Sequence, residues 1–265
     1  MVALLLSRPR VLVLLIALGI IATSLIVTSD HHNYWGVFDG EQVPEPPARP
    51  DWPARMMTED EVLLSKLVIV FPVNENTDMQ FYRNTWFGEY LHPVCDFDGP
   101  DCKIVCNEKS TYRTLDRKTR CFARQIKERE DYKQTEFFIK LDDDSFVDKG
   151  YILDLLRNNT GSNKPVYISD HTRLHDSANP GVLDEVLYGN GKFYMFNRVL
   201  VNCLDTELKY NGARRNEDLV FGGMVNSGCG GEQGVMFIQE NDDKIWHKVY
   251  QNKNKYIELG FIKNH

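Results

Sequence analysis

This sequence of 265 residues lacks several features that mark common functional classes. It has no excess of positive charge: the formal net charge is −7, which gives no support to nucleic-acid binding. It contains no internal repeat, so nothing indicates a solenoid or another repeat architecture. The cysteine spacing does not follow a usual zinc-binding pattern. The remaining possibilities are a globular enzyme or a binding domain.

Charge is also absent from the hydrophobic run within residues 11–28. Arg8 and Arg10 stand just before this run, so the positive-inside rule predicts a transmembrane anchor with a cytosolic tail at residues 1–10. The remainder of the chain would then face the lumen. A cleaved signal peptide, with its cleavage site at residues 22–24, is the competing interpretation. Both interpretations deliver the protein to the secretory pathway.

A proline-rich segment follows the hydrophobic run. Five prolines fall between Pro44 and Pro53, a composition that favours extended polyproline geometry and cannot build a core. Residues 29–62 are therefore predicted to form a stem. Residues 63–265 are long enough for one compact catalytic domain, and the sequence does not indicate its oligomeric state.

The cysteines and a glycosylation sequon agree with a lumenal location. All six cysteines follow the predicted stem, and in an oxidising lumen we expect them to form disulfides. Six cysteines allow 15 pairings, and the sequence does not choose among them. Asn158-Asn159-Thr160 is an acceptor sequon that predicts a glycan on Asn158. The cysteines are Cys95, Cys102, Cys106, Cys121, Cys203 and Cys229.

Strand-like and helix-like segments alternate along the rest of the chain. Strands separated by helices favour right-handed crossovers and a largely parallel sheet, so the predicted fold class is α/β. Helices are predicted after Asp148, Asn197 and Asn216, each a good N-cap residue, and also over residues 115–126. The predicted strands are Lys66 to Pro72, Lys103 to Cys106, Glu136 to Leu141, Val166 to Ser169, Lys192 to Phe196 and Val235 to Ile238.

The most informative pattern is an apolar strand that stops at three consecutive carboxylates. Asp142, Asp143 and Asp144 directly follow the run of residues 137–141. Because neighbouring like charges repel one another, such a triplet favours a bound cation, and oxygen ligands suit Mg²⁺ or Mn²⁺. In a parallel sheet this strand end is also where α/β folds bind ligands. An acidic surface turn is the alternative.

Four motifs in a fixed order resemble those of the β-1,3-galactosyltransferase and fringe family of Golgi enzymes. The resemblance extends from about residue 67 to residue 247. It implies a GT-A fold, in which a single lumenal domain uses a UDP-sugar donor together with Mn²⁺ or Mg²⁺. The motifs are Tyr82 to Trp86 (YRNTW), Lys140 to Asp148 (KLDDDSFVD), Tyr188 to Phe196 (YGNGKFYMF) and Glu217 to Leu219 (EDL).

The resemblance implies roles for the acidic triplet and for a late histidine. Asp144 would be the most direct metal ligand, while Asp142 would be either a second ligand or a residue that only holds the loop. Asp143 would face the ribose or the uridine of the donor. His247 would complete the metal site, although a histidine beside a tryptophan is more often a packed or surface residue.

The same resemblance implies a general base. Asp218 would take the proton of the acceptor hydroxyl as that oxygen attacks the anomeric carbon opposite the departing UDP. Glu217 could exchange roles with Asp218. Alternatively, both carboxylates merely stabilise the N-terminus of a helix, which requires no catalysis.

Three further residues are assigned to the donor site by resemblance. Arg83 would contact the diphosphate, and Gly189 and Gly191 would let the backbone approach the sugar closely. A surface arginine and an ordinary turn are the alternatives. Asn190 and Lys192 interrupt the run of small residues that family members often have, so the acceptor pocket departs from the family pattern.

These observations predict an inverting, metal-dependent transferase. It would move galactose or N-acetylglucosamine from a UDP-sugar to a hydroxyl of a glycan or glycoprotein, forming a β-linkage of the family's 1,3 type. The enzyme would be a single-pass type II protein of the Golgi or ER–Golgi membrane. The first alternative is a non-catalytic relative that binds a nucleotide sugar or a client protein. The second is an anchored lumenal protein whose acidic cluster holds Ca²⁺ structurally.

Overall fold

The apolar runs of the sequence form the strands of a seven-stranded sheet in the computed structural model. This structure describes residues 56–173, 186–209 and 216–247. Two further short strands, β5 and β9, pair with each other in a separate sheet. The strands are β1 (Leu67–Pro72), β2 (Leu91–Cys95), β3 (Ile104–Val105), β4 (Phe137–Leu141), β5 (Ser145–Val147), β6 (Val166–Arg173), β7 (Leu187–Asn197), β8 (Met236–Gln239) and β9 (Ile245–His247).

The main sheet has the strand order β3-β2-β1-β4-β7-β6-β8. Strand β7 runs antiparallel to both of its neighbours, and the other pairings are parallel. In the centre, Ile139 lies beside Ile69 on one side and beside Met195 on the other. The predicted α/β class with a mostly parallel sheet is therefore confirmed. The parallel strands direct their carboxyl ends toward one edge, where an α/β fold places its ligands.

Helices cover both faces of the sheet. Asp148 accepts a hydrogen bond from the amide of Tyr151, and Asn197 accepts one from the amide of Leu200, so two predicted N-caps are confirmed. The helices are α1 (Glu59–Leu64), α2 (Met79–Arg83), α3 (Asp116–Glu128), α4 (Lys149–Asn159), α5 (Arg198–Cys203), α6 (Glu217–Cys229) and α7 (Gly231–Gly234).

The third predicted cap is only partly correct. Asn216 occupies the N-cap position of α6, but its side chain makes no capping hydrogen bond. The amide of Leu219, which such a cap could bind, is instead bonded to the carboxylate of Asp218 at 2.8 Å. At the start of α6, the free backbone amide of Leu219 is therefore bonded by the side chain of Asp218 and not by that of Asn216.

The core has two layers, one on each face of the sheet. Val68 and Val70 of β1 pack into one layer with α3, α5 and α6, whereas Ile69 and Phe71 pack into the other with α1, α2 and α4. This alternation follows from the two-residue period of a strand. Because both faces are covered, β1 and β4 are buried along nearly their whole length, which explains why their sequences are apolar apart from Lys140.

The described residues all belong to one compact unit. Helix α1 begins at Glu59, so regular structure starts before residue 63, the predicted beginning of the domain. In the part of the chain that the structure describes, no helix combines the length and apolar character needed to cross a membrane. The predicted anchor at residues 11–28 lies outside the described residues.

All six cysteines form disulfides, as the sequence predicted. The structure selects one pairing among the 15: Cys95–Cys102, Cys106–Cys121 and Cys203–Cys229. The first closes the connection between β2 and β3, the second joins the end of β3 to α3, and the third joins α5 to the end of α6. The disulfides therefore brace the connections around the sheet.

Candidate active site

The acidic triplet forms a tight turn at the carboxyl edge of the sheet. The backbone carbonyl of Asp142 accepts from the amide of Ser145 at 3.0 Å, and the amide of Asp142 donates to the carbonyl of Lys192 on β7 at 3.2 Å. The turn is thus fixed at its start by the neighbouring strand. The chain then enters β5, which places the triplet between the main sheet and the small β5–β9 sheet.

Three predicted metal residues converge at this turn. Asp142, Asp144 and His247 each offer one ligand atom, and these atoms lie within 4.8 Å of one another. Strand β9 brings His247 directly opposite Ser145. The Nδ1 atom of His247 lies 3.3 Å from Oδ1 of Asp144 and 3.1 Å from Oγ of Ser145. The small β5–β9 sheet therefore positions the histidine, which lies far from the triplet in sequence.

The donor set of this group fits a divalent cation. Two carboxylates and one imidazole are ligands that Mn²⁺ accepts, and the carboxylates also suit Mg²⁺. Burial raises the pKa of Asp144, an effect that His247 opposes and that the charges of Asp142 and Asp143 reinforce. A bound cation would relieve this repulsion between carboxylates.

Asp143 turns toward a neighbouring cleft. Its Oδ2 atom accepts from Oγ1 of Thr77 at 2.6 Å and from Nδ2 of Asn74 at 3.1 Å, and the hydroxyl of Tyr82 donates to its backbone carbonyl. Burial raises its pKa. The cleft has a volume of about 420 Å³, within the range of small-molecule sites. It is lined by Asn74, Asn76, Thr77, Asp78, Phe81, Tyr82, Asp143 and Asp144.

A buried lysine lies behind the triplet. Lys140 is only 1% exposed, and its Nζ atom donates to Asp142 Oδ1, to Glu217 Oε1 and to the carbonyl of Gly191, each at 2.5 Å. Burial lowers the pKa of Lys140, but the charges of Asp142 and Glu217 outweigh burial and raise it overall. The lysine therefore stays charged and connects the acidic turn to the first residue of α6.

Glu217 is fully occupied by protein partners. Besides the contact of Oε1 with Lys140, its Oε2 atom accepts from Oγ1 of Thr119 at 3.1 Å and from the hydroxyl of Tyr194 at 3.4 Å. Burial raises the pKa of Glu217 to about 7, against the opposing charge of Lys140. Because both oxygens are already bonded, Glu217 is poorly placed to exchange roles with Asp218.

Asp218 has a different environment from its neighbour. Among the described residues, its carboxylate is hydrogen-bonded to backbone amides, of which that of Leu219 is 2.8 Å away, and to no side chain. Burial raises its pKa, partly offset by the Leu219 amide and by Lys140. The residue is half-buried. Of the two acids at the start of α6, Asp218 is therefore the one without a side-chain partner among the described residues.

The Tyr82 to Trp86 motif braces the site, but its arginine lies elsewhere. Arg83 forms an ion pair with Asp101 and is 47% exposed, and no contact among the described residues joins it to the triplet. Tyr82 bonds the turn, as described above, and Nε1 of Trp86 donates to the carbonyl of Val147 on β5 at 2.7 Å. The motif thus positions the acidic turn and β5.

Packing explains why glycine occupies positions 189 and 191, which the resemblance assigned to the donor site. A Cβ atom at Gly189 would lie 2.4 Å from Oγ of Ser169, and one at Gly191 would lie 2.6 Å from Oε1 of Glu217. Either contact is too close for a side chain. Gly189 therefore permits tight pairing of β7 with β6, and Gly191 leaves room for the Lys140–Glu217 pair. Their contact with a sugar remains a prediction.

A second acidic group lies farther along the same edge. Asp170, Glu240 and Asp242 also bring ligand atoms within 4.8 Å of one another. The ammonium of Lys192 lies 2.8 Å from Oε1 of Glu240 and also contacts Asp242, while Nε2 of Gln239 donates to Asp170. Burial raises the pKa of Glu240 to about 7, against the opposing charge of Lys192. The ammonium of Lys192 therefore already supplies a positive charge inside this group.

The sequence did not identify several residues of the first site. Thr77 and Asn74 carry no pattern that would have distinguished them from ordinary turn residues, and Ser145 lies inside the KLDDDSFVD motif but was given no role of its own. Lys140 did carry a signal, because a single charge inside the apolar run FFIKL must find a buried partner. Tyr82 lies in the YRNTW motif, in which the resemblance implies a role for Arg83 rather than for the tyrosine.

Comparisons with known proteins provide little further information. No family model matches the chain, and no curated protein matches it. A 4-diphosphocytidyl-2C-methyl-D-erythritol synthase from Anaerococcus prevotii DSM 20548 is 13% identical, with a TM-score of 0.39 over 74% of this chain and 99% of that one. A glycosyltransferase involved in glycosylation of the major capsid of PBCV-1 is 10% identical, with a TM-score of 0.42 over 73% and 98%. At these scores neither similarity carries an argument, and the family remains a prediction.

Proposed function

We propose that the chain is an inverting, metal-dependent glycosyltransferase that moves galactose or N-acetylglucosamine from a UDP-sugar to a hydroxyl of a glycan or glycoprotein. One observation carries the proposal. Asp142, Asp144 and His247 converge at the carboxyl edge of the sheet, and Asp144 also lines the adjoining cleft. A cation-binding group beside a polar cleft suits a ligand that carries a diphosphate.

Different residues of the chain would bind the nucleotide and the metal ion. The cleft would hold the nucleotide part of the donor, with the Asn74 and Thr77 side chains fixing Asp143 at its wall. Asp142, Asp144 and His247 would hold Mn²⁺ or Mg²⁺. The bound ion would neutralise the negative charge of the diphosphate. The motif order described in the sequence supports UDP as the nucleotide and a β-1,3 linkage.

Asp218 would act as the general base. It would take the proton of the acceptor hydroxyl while that oxygen forms its bond to the anomeric carbon and the bond to UDP breaks. Burial raises the pKa of Asp218, which makes its carboxylate a stronger base than an exposed aspartate. A single displacement of an α-linked UDP-sugar gives a β-linked product.

The test is a turnover screen of the chain against UDP-sugars with Mn²⁺, using release of UDP as the readout. Asp218→Asn keeps the size of the side chain and removes its basicity, so kcat should fall about 10²–10⁴-fold while UDP still binds. The exposed Asp154 offers a matched control, and Asp154→Asn should leave kcat unchanged. Full activity of the Asp218→Asn variant would exclude this residue as the base. UDP binding with no turnover on any donor would favour the non-catalytic alternative.

The location in the secretory pathway belongs to the same proposal. Three disulfides are typical of proteins from oxidising compartments, and Asn158 is exposed on α4. In microsomes, Asn158→Gln should migrate faster on a gel than the unchanged chain, since it cannot receive a glycan. Equal mobility of the two proteins would contradict a lumenal Asn158.

A further inference from the structure

Lys140 touches both halves of the proposed site, the acidic turn and the start of α6. It belongs to β4, and its ammonium contacts the Asp142 carboxylate of the acidic turn, the Gly191 carbonyl of β7 and the Glu217 carboxylate of α6. These three partners come from three separate elements. Asp218, the proposed base, directly follows Glu217 in α6. The position of Lys140 therefore determines how the turn and the helix start lie relative to each other.

We propose that Lys140 is a positioning residue that fixes the Asp142 carboxylate for the divalent cation and thereby sets the affinity of the site for that cation. This inference rests on the proposed function. The contact of Nζ with Oδ1 of Asp142 occupies one oxygen and orients the other. Removing a hydrogen-bonding partner that orients a metal ligand in this way typically lowers metal affinity about 10–100-fold.

The surroundings of Lys140 show what its ammonium contributes to the site. A cation that is 1% exposed is strongly disfavoured unless it is paired, and an apolar strand residue at this position would be the simpler solution for the core. Such a residue would leave Glu217 without a cation and Asp142 free to rotate. The ammonium also lies 5.5 Å from the centre of the Tyr194 ring, so every side of the group has a defined contact.

The experiment is a titration of the purified chain with Mn²⁺ alone, followed by the electron paramagnetic resonance signal of free Mn²⁺. Lys140→Met keeps the length of the side chain and removes the ammonium, and its Mn²⁺ affinity should fall about 10–100-fold. Arg198→Met is the matched control. Arg198 is a half-buried cation that donates to the backbone carbonyls of Ile126, Tyr132 and Thr135, so its loss weakens the fold without touching the site.

A second variant separates positioning from folding. Lys140→Met leaves Glu217 buried without its cation, so the protein should lose stability; adding Glu217→Gln removes that charge and should restore part of the melting temperature. If Lys140 orients Asp142, the double variant still binds Mn²⁺ about 10–100-fold more weakly than the unchanged chain. Recovery of Mn²⁺ affinity together with stability would overturn the inference.

The remaining outcomes are also distinguishable. If the unchanged chain binds Mn²⁺ and Lys140→Met binds it within twofold, the positioning role is wrong while the proposed metal site stands. If Arg198→Met loses as much affinity as Lys140→Met at equal stability, the effect is general and the inference fails. If the unchanged chain itself binds no Mn²⁺, the metal dependence in the proposed function is wrong, and the inference fails with it.

Discussion

Two groups of acidic side chains lie on the same edge of the sheet, and they differ in what balances their charge. In the group of Asp170, Glu240 and Asp242, the ammonium of Lys192 contacts two of the three carboxylates, and the Glu240 side chain is 0% exposed. In the group of Asp142, Asp144 and His247, the histidine is 40% exposed beside the cleft, and Lys140 reaches Asp142 from behind.

The difference shows that proximity of carboxylates does not by itself define a metal site. A group with an internal ammonium already has a cation between its carboxylates, supplied by the protein. A group that keeps an accessible carboxylate and an imidazole, with the ammonium of Lys140 on its buried side, retains ligand capacity toward solvent. We therefore expect a divalent cation at the first group and an ion-pair network at the second.

The largest expected effect separates the two groups directly. Asp144→Ala removes a proposed ligand, so Mn²⁺ affinity should fall by about 100-fold or more, beyond the effect of losing a residue that only orients a ligand. Asp242→Ala removes a carboxylate of the second group, and Mn²⁺ affinity should change less than twofold. Calorimetric titration of both variants with Mn²⁺ measures the contrast.

Two results would break the comparison. A large loss of Mn²⁺ affinity in Asp242→Ala would mean that the second group also binds the ion despite Lys192. Unchanged affinity in Asp144→Ala would remove this residue from the metal site. In both variants, retention of the far-ultraviolet circular dichroism spectrum controls for folding.

Much of the fold could be predicted from the sequence, because buried strands are recognisable as runs of mainly apolar residues. The runs at β1 and β4 are apolar apart from Lys140, since both of their faces are covered. Strand β2 (LHPVC) was not predicted, because His92 and Pro93 interrupt its apolar pattern and proline is unusual within a sheet. Strands β5 and β9 have three residues each, too few for any periodic pattern.

The sequence predicts the residues of the site mainly where they lie in a local motif. The acidic triplet is a local pattern, and His247 came from the resemblance rather than from its neighbours. The pairing of Lys140 with Glu217 joins residues 77 positions apart, and no local rule connects them. The resemblance assigned Arg83 to the donor site. In the structure Arg83 pairs with Asp101, whereas the preceding residue, Tyr82, contacts the triplet.

A smaller effect concerns pH and the second group. Glu240 has a pKa of about 7 because of burial, so its carboxyl binds a proton more tightly in the folded than in the unfolded protein. Its contribution to stability is therefore complete below the ordinary glutamate pKa and is lost as pH rises through 7. The free energy of unfolding should decrease over this range by up to about 3 kcal/mol from this group.

Urea unfolding between pH 5 and pH 8 measures the effect. Glu240→Gln cannot titrate, so the unfolding free energy of this variant should depend less steeply on pH, and the difference between the two proteins should change across the window. Glu217 contributes to both proteins and cancels in that difference. A substitution at the exposed Glu128 should leave the curve unchanged. Parallel pH curves for the unchanged protein and Glu240→Gln would show that Glu240 keeps an ordinary pKa.

The pairing of β5 with β9 also has a consequence for synthesis. The triplet is translated early and His247 late, and the two meet only when Ile245 to His247 align against Ser145 to Val147. During translation the triplet therefore emerges well before its histidine, and a nascent chain without β9 has carboxylates but no imidazole at the turn. Capture of the cation should thus follow the docking of β9, so that metal retention would report whether β9 has paired with β5.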